Sequence, residues 1–133
     1  MAETANLSDE IRDYLLFTGY EVSRGEHGGY IANHPTQFKV GFHEFRGGVL
    51  LYSAFIAKPD ATEENLSFMR FINGLNSKAA VGRFYYDDGT LVVEGWFGGT
   101  YHSAIFGRFF DLWKEDLAAN LERQMGVGKE FLE

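Results

Sequence analysis

Apolar positions recur at two different periods along this chain, and each change of period marks an element. Leu7, Ile11, Tyr14, Leu15 and Thr18 follow helical spacing. Ser8 reads as the N-cap, Asp9 and Glu10 suit the positive end of the helix dipole, and Gly19 suits a left-handed exit. The period then shortens to two. Gly28-Gly29 precedes a strand over Tyr30–His34, Pro35-Thr36 breaks it, and a second strand runs over Phe38–Phe45. Arg46-Gly47-Gly48 reads as a hairpin turn into Val49–Ala57. Tyr20–Ser23 adds extended chain at the front. A helix entered at Asp60 or Thr62 continues to about Ser77, with Phe68, Phe71, Ile72 and Leu75 on one side and Leu66, Met69 and Asn73 on the other. Apolar residues on two sides predict a helix that is either sandwiched or placed at a subunit interface. Asp87-Asp88-Gly89 between Val81–Tyr86 and Thr90–Phe97 is the clearest hairpin, and a last helix covers about His102–Gln124.

Strands grouped together rather than alternating with helices predict an α+β fold, α-β-β-β-α-β-β-α, with a mainly antiparallel five-stranded sheet covered by helices. Within the strands, Phe38, Val40 and Phe42 alternate with Lys39, Gly41 and His43. Leu91, Val93 and Phe97 alternate with Val92, Glu94 and Trp96, while Phe84 and Tyr86 alternate with Arg83 and Tyr85. One face is therefore apolar and belongs under the helices. The other carries Lys39, His43, Phe45, Arg83, Tyr85, Glu94 and Trp96. Aromatic side chains among polar ones on an open sheet suit recognition of a peptide or protein. Cross-strand aromatic pairing that only stabilises the sheet explains the same pattern equally well.

Composition narrows the function classes. The 133 residues match one domain of ordinary size, and 13 Phe with 7 Tyr supply its core. A net charge of −7 without a run of Lys or Arg argues against nucleic acid and against an anionic membrane surface. The same field would attract a basic or amphipathic partner. The chain has no cysteine, so disulfides, thiolate nucleophiles and zinc knuckles are excluded. The start of the chain lacks the pattern of a signal peptide, and no apolar run approaches the roughly 20 residues of a membrane helix. A cytoplasmic location is expected. The last few residues carry no reading, because Leu132-Glu133 matches the sequence that often precedes an affinity tag.

Candidate chemistry is sparse. His27, His34, His43 and His102 show no metal-site spacing, and His43-Glu44 sits in a strand rather than in a helical HExxH motif. Most carboxylates stand where helix starts and turns want them; Glu94 is a strand residue expected to face solvent. No Gly-x-Ser-x-Gly, Gly-x-Gly-x-x-Gly or Walker pattern occurs, and the paired glycines read as turns. No catalytic residue, cofactor or metal ligand is assigned.

The segment Phe71-Ile-Asn73-Gly-Leu75-Asn76, followed by Gly82-Arg-Phe84, resembles the helix end and fourth strand of the bacterial YbjN-like proteins, within the type III secretion chaperone-like fold. With the order of elements it extends over about residues 7–124, so residues 1–133 read as a single YbjN-like domain. The resemblance implies a small acidic homodimer whose second helix builds the dimer contact, at positions matched here by Leu66, Met69 and Asn73. It also implies binding of an extended client segment without ATP. The expectation is a non-enzymatic protein- or peptide-binding module, chaperone-like or regulatory. The alternative is a small-molecule sensor or enzyme with an aromatic pocket between sheet and helices, given polarity by Glu94 or His43.

Overall fold

The computed structural model describes residues 6–25, 28–120 and 131–133. The elements run α1 (Leu7–Phe17), β1 (Glu21–Arg24), β2 (Tyr30–Asn33), β3 (Val40–Phe45), β4 (Gly48–Ile56), α2 (Leu66–Lys78), β5 (Arg83–Asp87), β6 (Thr90–Gly98) and α3 (Ser103–Glu115), with a π-helical turn over Asp116–Asn120. The strands form a six-stranded antiparallel sheet in the order β1-β2-β3-β4-β6-β5. The α+β class and the element order are as predicted, with one strand more than the five counted from sequence. The extra strand, β1 (Glu21–Arg24), overlaps the extended segment expected at Tyr20–Ser23. His27, residues 121–124 of the expected last helix and its exit at Gly126–Lys129 lie outside the described residues.

The chain divides into two compact units, one of residues up to Ser53 together with Trp96–Arg108, the other of Ala54–Gly95 together with residues from Phe109 onward. In the first unit, α1 is capped by Asn6, whose side chain accepts the Asp9 N–H at 2.9 Å. Ser8, the cap expected from sequence, is one turn-position inside the helix and buried. Asn6 wins because its carboxamide reaches the third residue onward while its own backbone stays extended. At the other end Gly19 takes φ +101°, as the sequence predicts. Ile11 and Leu15 are fully buried, and α1 lies against β1 and β3. Tyr30 pairs with Phe42 and Phe42 with Leu51, which sets Tyr30, Phe42, Val40, Val49 and Leu51 on the helix-covered face. Arg46-Gly47 closes β3 onto β4 as a two-residue turn with both φ angles positive. Phe38, placed on the apolar face by its spacing, lies ahead of β3 and is exposed. The alternation that predicts it buried applies only where the ladder has begun.

In the second unit, α2 starts at Leu66 rather than at Asp60 or Thr62, capped by Asn65, whose side chain accepts from the Phe68 N–H at 3.1 Å. The Asn65 amide also donates to the Asp60 carbonyl at 3.0 Å, so the acidic run before it forms turns that feed the cap. Phe68, Phe71, Ile72 and Leu75 are buried, and the helix lies against β5. Phe131 joins them, its ring 5.2 Å from Phe68 and 5.5 Å from Phe71. Its carbonyl accepts from the Lys58 N–H at 2.7 Å, while Leu132 bridges Ala57. A buried Phe of this kind is worth about 1.5–3 kcal/mol, so Phe131 is part of the core of this unit. Asp88-Gly89 makes the expected hairpin turn, with φ +40° and +87°.

Candidate functional site

Pairing register, not sequence spacing alone, decides which side chains share the helix-free face. In the first unit, Gly41 pairs with Tyr52, His43 with Leu50 and Phe45 with Gly48. Among the described residues, Gly41, Gly48 and Gly98, in the strands of this face, have no room for a Cβ. At Gly41 it would collide with the Tyr52 ring. At Gly48 it would stand 2.7 Å from the Trp96 indole, and Gly98 is covered by the same ring. Tyr52 and Trp96 thus lie flat on bare backbone, a recess that any larger residue would fill. The indole N–H of Trp96 donates to the Phe45 carbonyl at 2.8 Å, which fixes the ring in the plane of the sheet. Trp96 remains 49% exposed and Phe45 40% exposed. His43 completes the set, its ring 5.8 Å from Tyr52 and 6.5 Å edge-on to Phe45. The Arg46 guanidinium sits 5.5 Å from the Phe45 ring.

Four of the seven residues predicted for the open face belong to this unit: Lys39, His43, Phe45 and Trp96. His43, Phe45 and Trp96 are brought together. Lys39 is exposed just ahead of β3 and lines an adjoining solvent-open groove of about 890 Å³ that shares His43 and Tyr52 with the cluster and also takes in Arg24, Gly28 and Gly29. At the helix-side wall of that groove, the Tyr30 hydroxyl donates to Asp9 Oδ1 at 2.6 Å, with Arg12 3.4 Å from the same oxygen and Arg24 stacked 4.6 Å over the Tyr30 ring.

The remaining three residues, Arg83, Tyr85 and Glu94, form a separate cluster in the second unit. Arg83 and Glu94 face each other across β5 and β6 and form an ion pair. Glu94 is only 8% exposed, which corrects the expectation of a solvent-facing carboxylate. The cross-strand guanidinium and the neighbouring Tyr85 explain how a buried strand carboxylate is tolerated. Burial first, then a hydrogen bond to Glu94 and its charge, push the Tyr85 phenol above its ordinary pKa. The bond to Glu94 holds the Arg83 guanidinium above its ordinary value in turn. Every group in this cluster is engaged by another.

Two polar side chains that sequence spacing does not single out hold the edge of the second unit. Asn76 accepts the Phe84 N–H at 2.8 Å and donates to the Phe84 carbonyl at 2.9 Å, pairing with β5 as a neighbouring strand would. Asp116, 5% exposed, accepts the N–H groups of Ala80, Val81 and Gly82 at 2.8, 2.8 and 2.7 Å. Consecutive amides curved around one carboxylate form an anion nest, and here the chain fills its own. The predicted interface residues occupy the solvent side of α2: Leu66 is 62% exposed, Asn73 is exposed and Met69 half-buried. Among the described residues no group of three or more His, Asp or Glu stands where it could hold a metal ion, and no helix is long and apolar enough to cross a membrane.

No family model matches the chain, and no curated protein matches it. Among solved structures it superposes on YbjN from E. coli, described there as a proposed transcription regulator, with a TM-score of 0.73 over 94% of each chain. The chain has the fold of YbjN. Identity across that superposition is 13%, so the likeness carries the architecture and leaves the surface chemistry to each protein. The YbjN-like resemblance read from Phe71–Asn76 and Gly82–Phe84 is therefore met at the level of the fold. In this chain those residues have concrete tasks, since Asn76 is the side chain that pairs with Phe84.

Proposed function

We propose that the protein is a non-enzymatic binding module that recognises a protein or peptide segment on the helix-free face of its first unit. The observation that carries this reading is the half-exposed Trp96 indole, laid on Gly48 and Gly98 and anchored to the Phe45 carbonyl. A ring held by backbone on one side offers its other side to a partner at little entropic cost, and aromatic residues with few rotamers dominate binding energy at interfaces. Phe45, His43 and Tyr52 extend the surface, while Lys39 and Arg46 supply charge at its edges. The shared fold with a proposed transcription regulator supports a regulatory setting. The net charge of −7 favours action through protein contacts rather than through DNA. Homodimerisation through Leu66, Met69 and Asn73 is part of the proposal, supported by the exposed apolar groups on α2.

Affinity capture from the native host with the wild-type chain and with a Phe45→Asp variant tests the reading. A partner retained by the wild type and lost with the variant is the expected result. The same proteins captured by both would reject this face as the binding surface.

A further inference from the structure

A second surface in the first unit lies on the opposite, helical side. The first residues of α3 and the segment before it run beside α1, leaving a groove of about 310 Å³ lined by Glu10, Asp13, Tyr14, Phe17, Tyr101 and Ser103. Its floor is aromatic. The Tyr14 ring meets Phe106 edge-on at 5.1 Å, and its hydroxyl would stand 2.8 Å from a Cβ at Gly107, so the glycine lets the ring approach α3 closely. Tyr101 packs on the same Phe106 at 6.2 Å. At the end of the groove Phe17 is 90% exposed, the most exposed large apolar side chain among the described residues. Burying a Phe is worth up to about 3 kcal/mol, so one left in water beside two tyrosines marks an unfilled contact.

The rim carries one sign of charge. Glu10 has no ion pair among the described residues, and Asp13 holds Arg12 at 3.0 Å on an exposed flank. The Arg12 Nε holds Asp13 while its Nη1 reaches Asp9 and Tyr30, so Glu10 carries the open charge of the rim, and no Lys or Arg lines the groove itself. The carboxylates act on the groove's interior: after burial, the charges of Glu10 and Asp13 raise the Tyr101 phenol above its ordinary pKa. Apolar floor and acidic rim together select the occupant.

We infer that this groove docks a basic-apolar peptide segment, one bulky apolar side chain lying against Tyr14, Phe17 and Tyr101 and a Lys or Arg pairing with Glu10. The site is distinct from the sheet face proposed above and stands whether or not that face binds. A fluorescein-labelled peptide alternating lysine with leucine and phenylalanine is the probe, with an acidic peptide of the same apolar residues and an all-lysine peptide as controls. Binding is read by anisotropy, and its location by amide shifts of the isotopically labelled protein. Saturable binding of the first peptide alone, with shifts at Glu10, Asp13, Phe17 and Tyr101, is expected. Phe17→Ala should weaken it about tenfold, and Glu10→Gln about threefold, an effect lost at high salt. Both positions are at least partly solvent-exposed, and an unchanged far-UV circular dichroism spectrum establishes that the variants are folded. Equal binding of all three peptides, shifts confined to His43, Tyr52 and Trp96, or no saturable binding would each overturn the inference.

Discussion

The two units hold their strands by opposite means. In the first, aromatic rings lie on glycine backbone: Tyr52 on Gly41, Trp96 on Gly48 and Gly98. In the second, polar side chains stand in for backbone: Asn76 pairs with Phe84, Asp116 gathers three amides, and Arg83 neutralises Glu94. Both devices stabilise sheet and loop, but they leave different surfaces. A carboxylate already holding three N–H groups has little capacity for a ligand. A ring resting on glycine keeps one face free. The difference is one of surface: the aromatic half of the sheet keeps ring faces free, as the proposed function requires, while the polar half, with the more conspicuous chemistry, uses its groups internally.

The largest effect should come from the polar half. Asp116→Ala removes three charge-assisted hydrogen bonds and strands the amides of residues 80–82, which should cost about 3–5 kcal/mol in urea unfolding. A loss below about 1 kcal/mol would mean that the nest is not structural. Gly48→Ala comes next. The new methyl must displace the indole or the Phe97 carbonyl, so about 1–3 kcal/mol is expected, with Trp96 emission shifting to the red as the ring leaves its recess. Unchanged emission would show that the ring is not seated there. Asn76→Ala should cost about 2 kcal/mol by leaving both Phe84 backbone groups unpaired, with amide exchange accelerated along β5. Slow exchange at Phe84 in that variant would contradict the pairing. Arg83→Met should cost about 1–2 kcal/mol: the Arg83 side chain is 68% exposed and the pair partly screened by solvent, but its loss leaves the buried Glu94 carboxylate without its cation.

The smallest effect is a pH dependence in the first unit. Burial raises the Tyr20 phenol to about 12, above its ordinary value of 10.0. Between those values the unfolded chain loses this proton while the folded chain keeps it. The folded state binds more protons there, so stability falls as pH rises through the window and is unaffected below it. Tyr20→Phe should flatten that part of the curve. Equal slopes in both proteins would remove Tyr20 as the cause.

The faces of the sheet were legible from residues because a period of two survives wherever a ladder exists. Val40 with Phe42, and Leu91 with Val93, are buried as the alternation predicts. Short charged β1 shows no alternation, three of its four residues being exposed, so only its pairing with β2 defines it. Gly41, Gly48 and Gly98 were invisible as parts of a site because a residue without a side chain leaves no pattern; its meaning lies in the ring that covers it. An isolated glycine inside a strand run, such as Gly41 between Val40 and Phe42, was the available signal. Asn76 and Asp116 act on backbone 8 and up to 36 positions away, a distance at which spacing says nothing. Glu94 stands out in the sequence as a carboxylate inside a strand, but alternation does not show its burial or its partner Arg83, which lies across the ladder.

The most direct measurement places a photo-reactive benzoylphenylalanine at Phe45 in one protein and at Ile56 in another. Both positions are solvent-accessible and both lie at strand ends, one in each unit. The account predicts that irradiation in the native host yields a discrete cross-linked partner from position 45 and none from position 56. Cross-linking from position 56 with none from position 45 would contradict it.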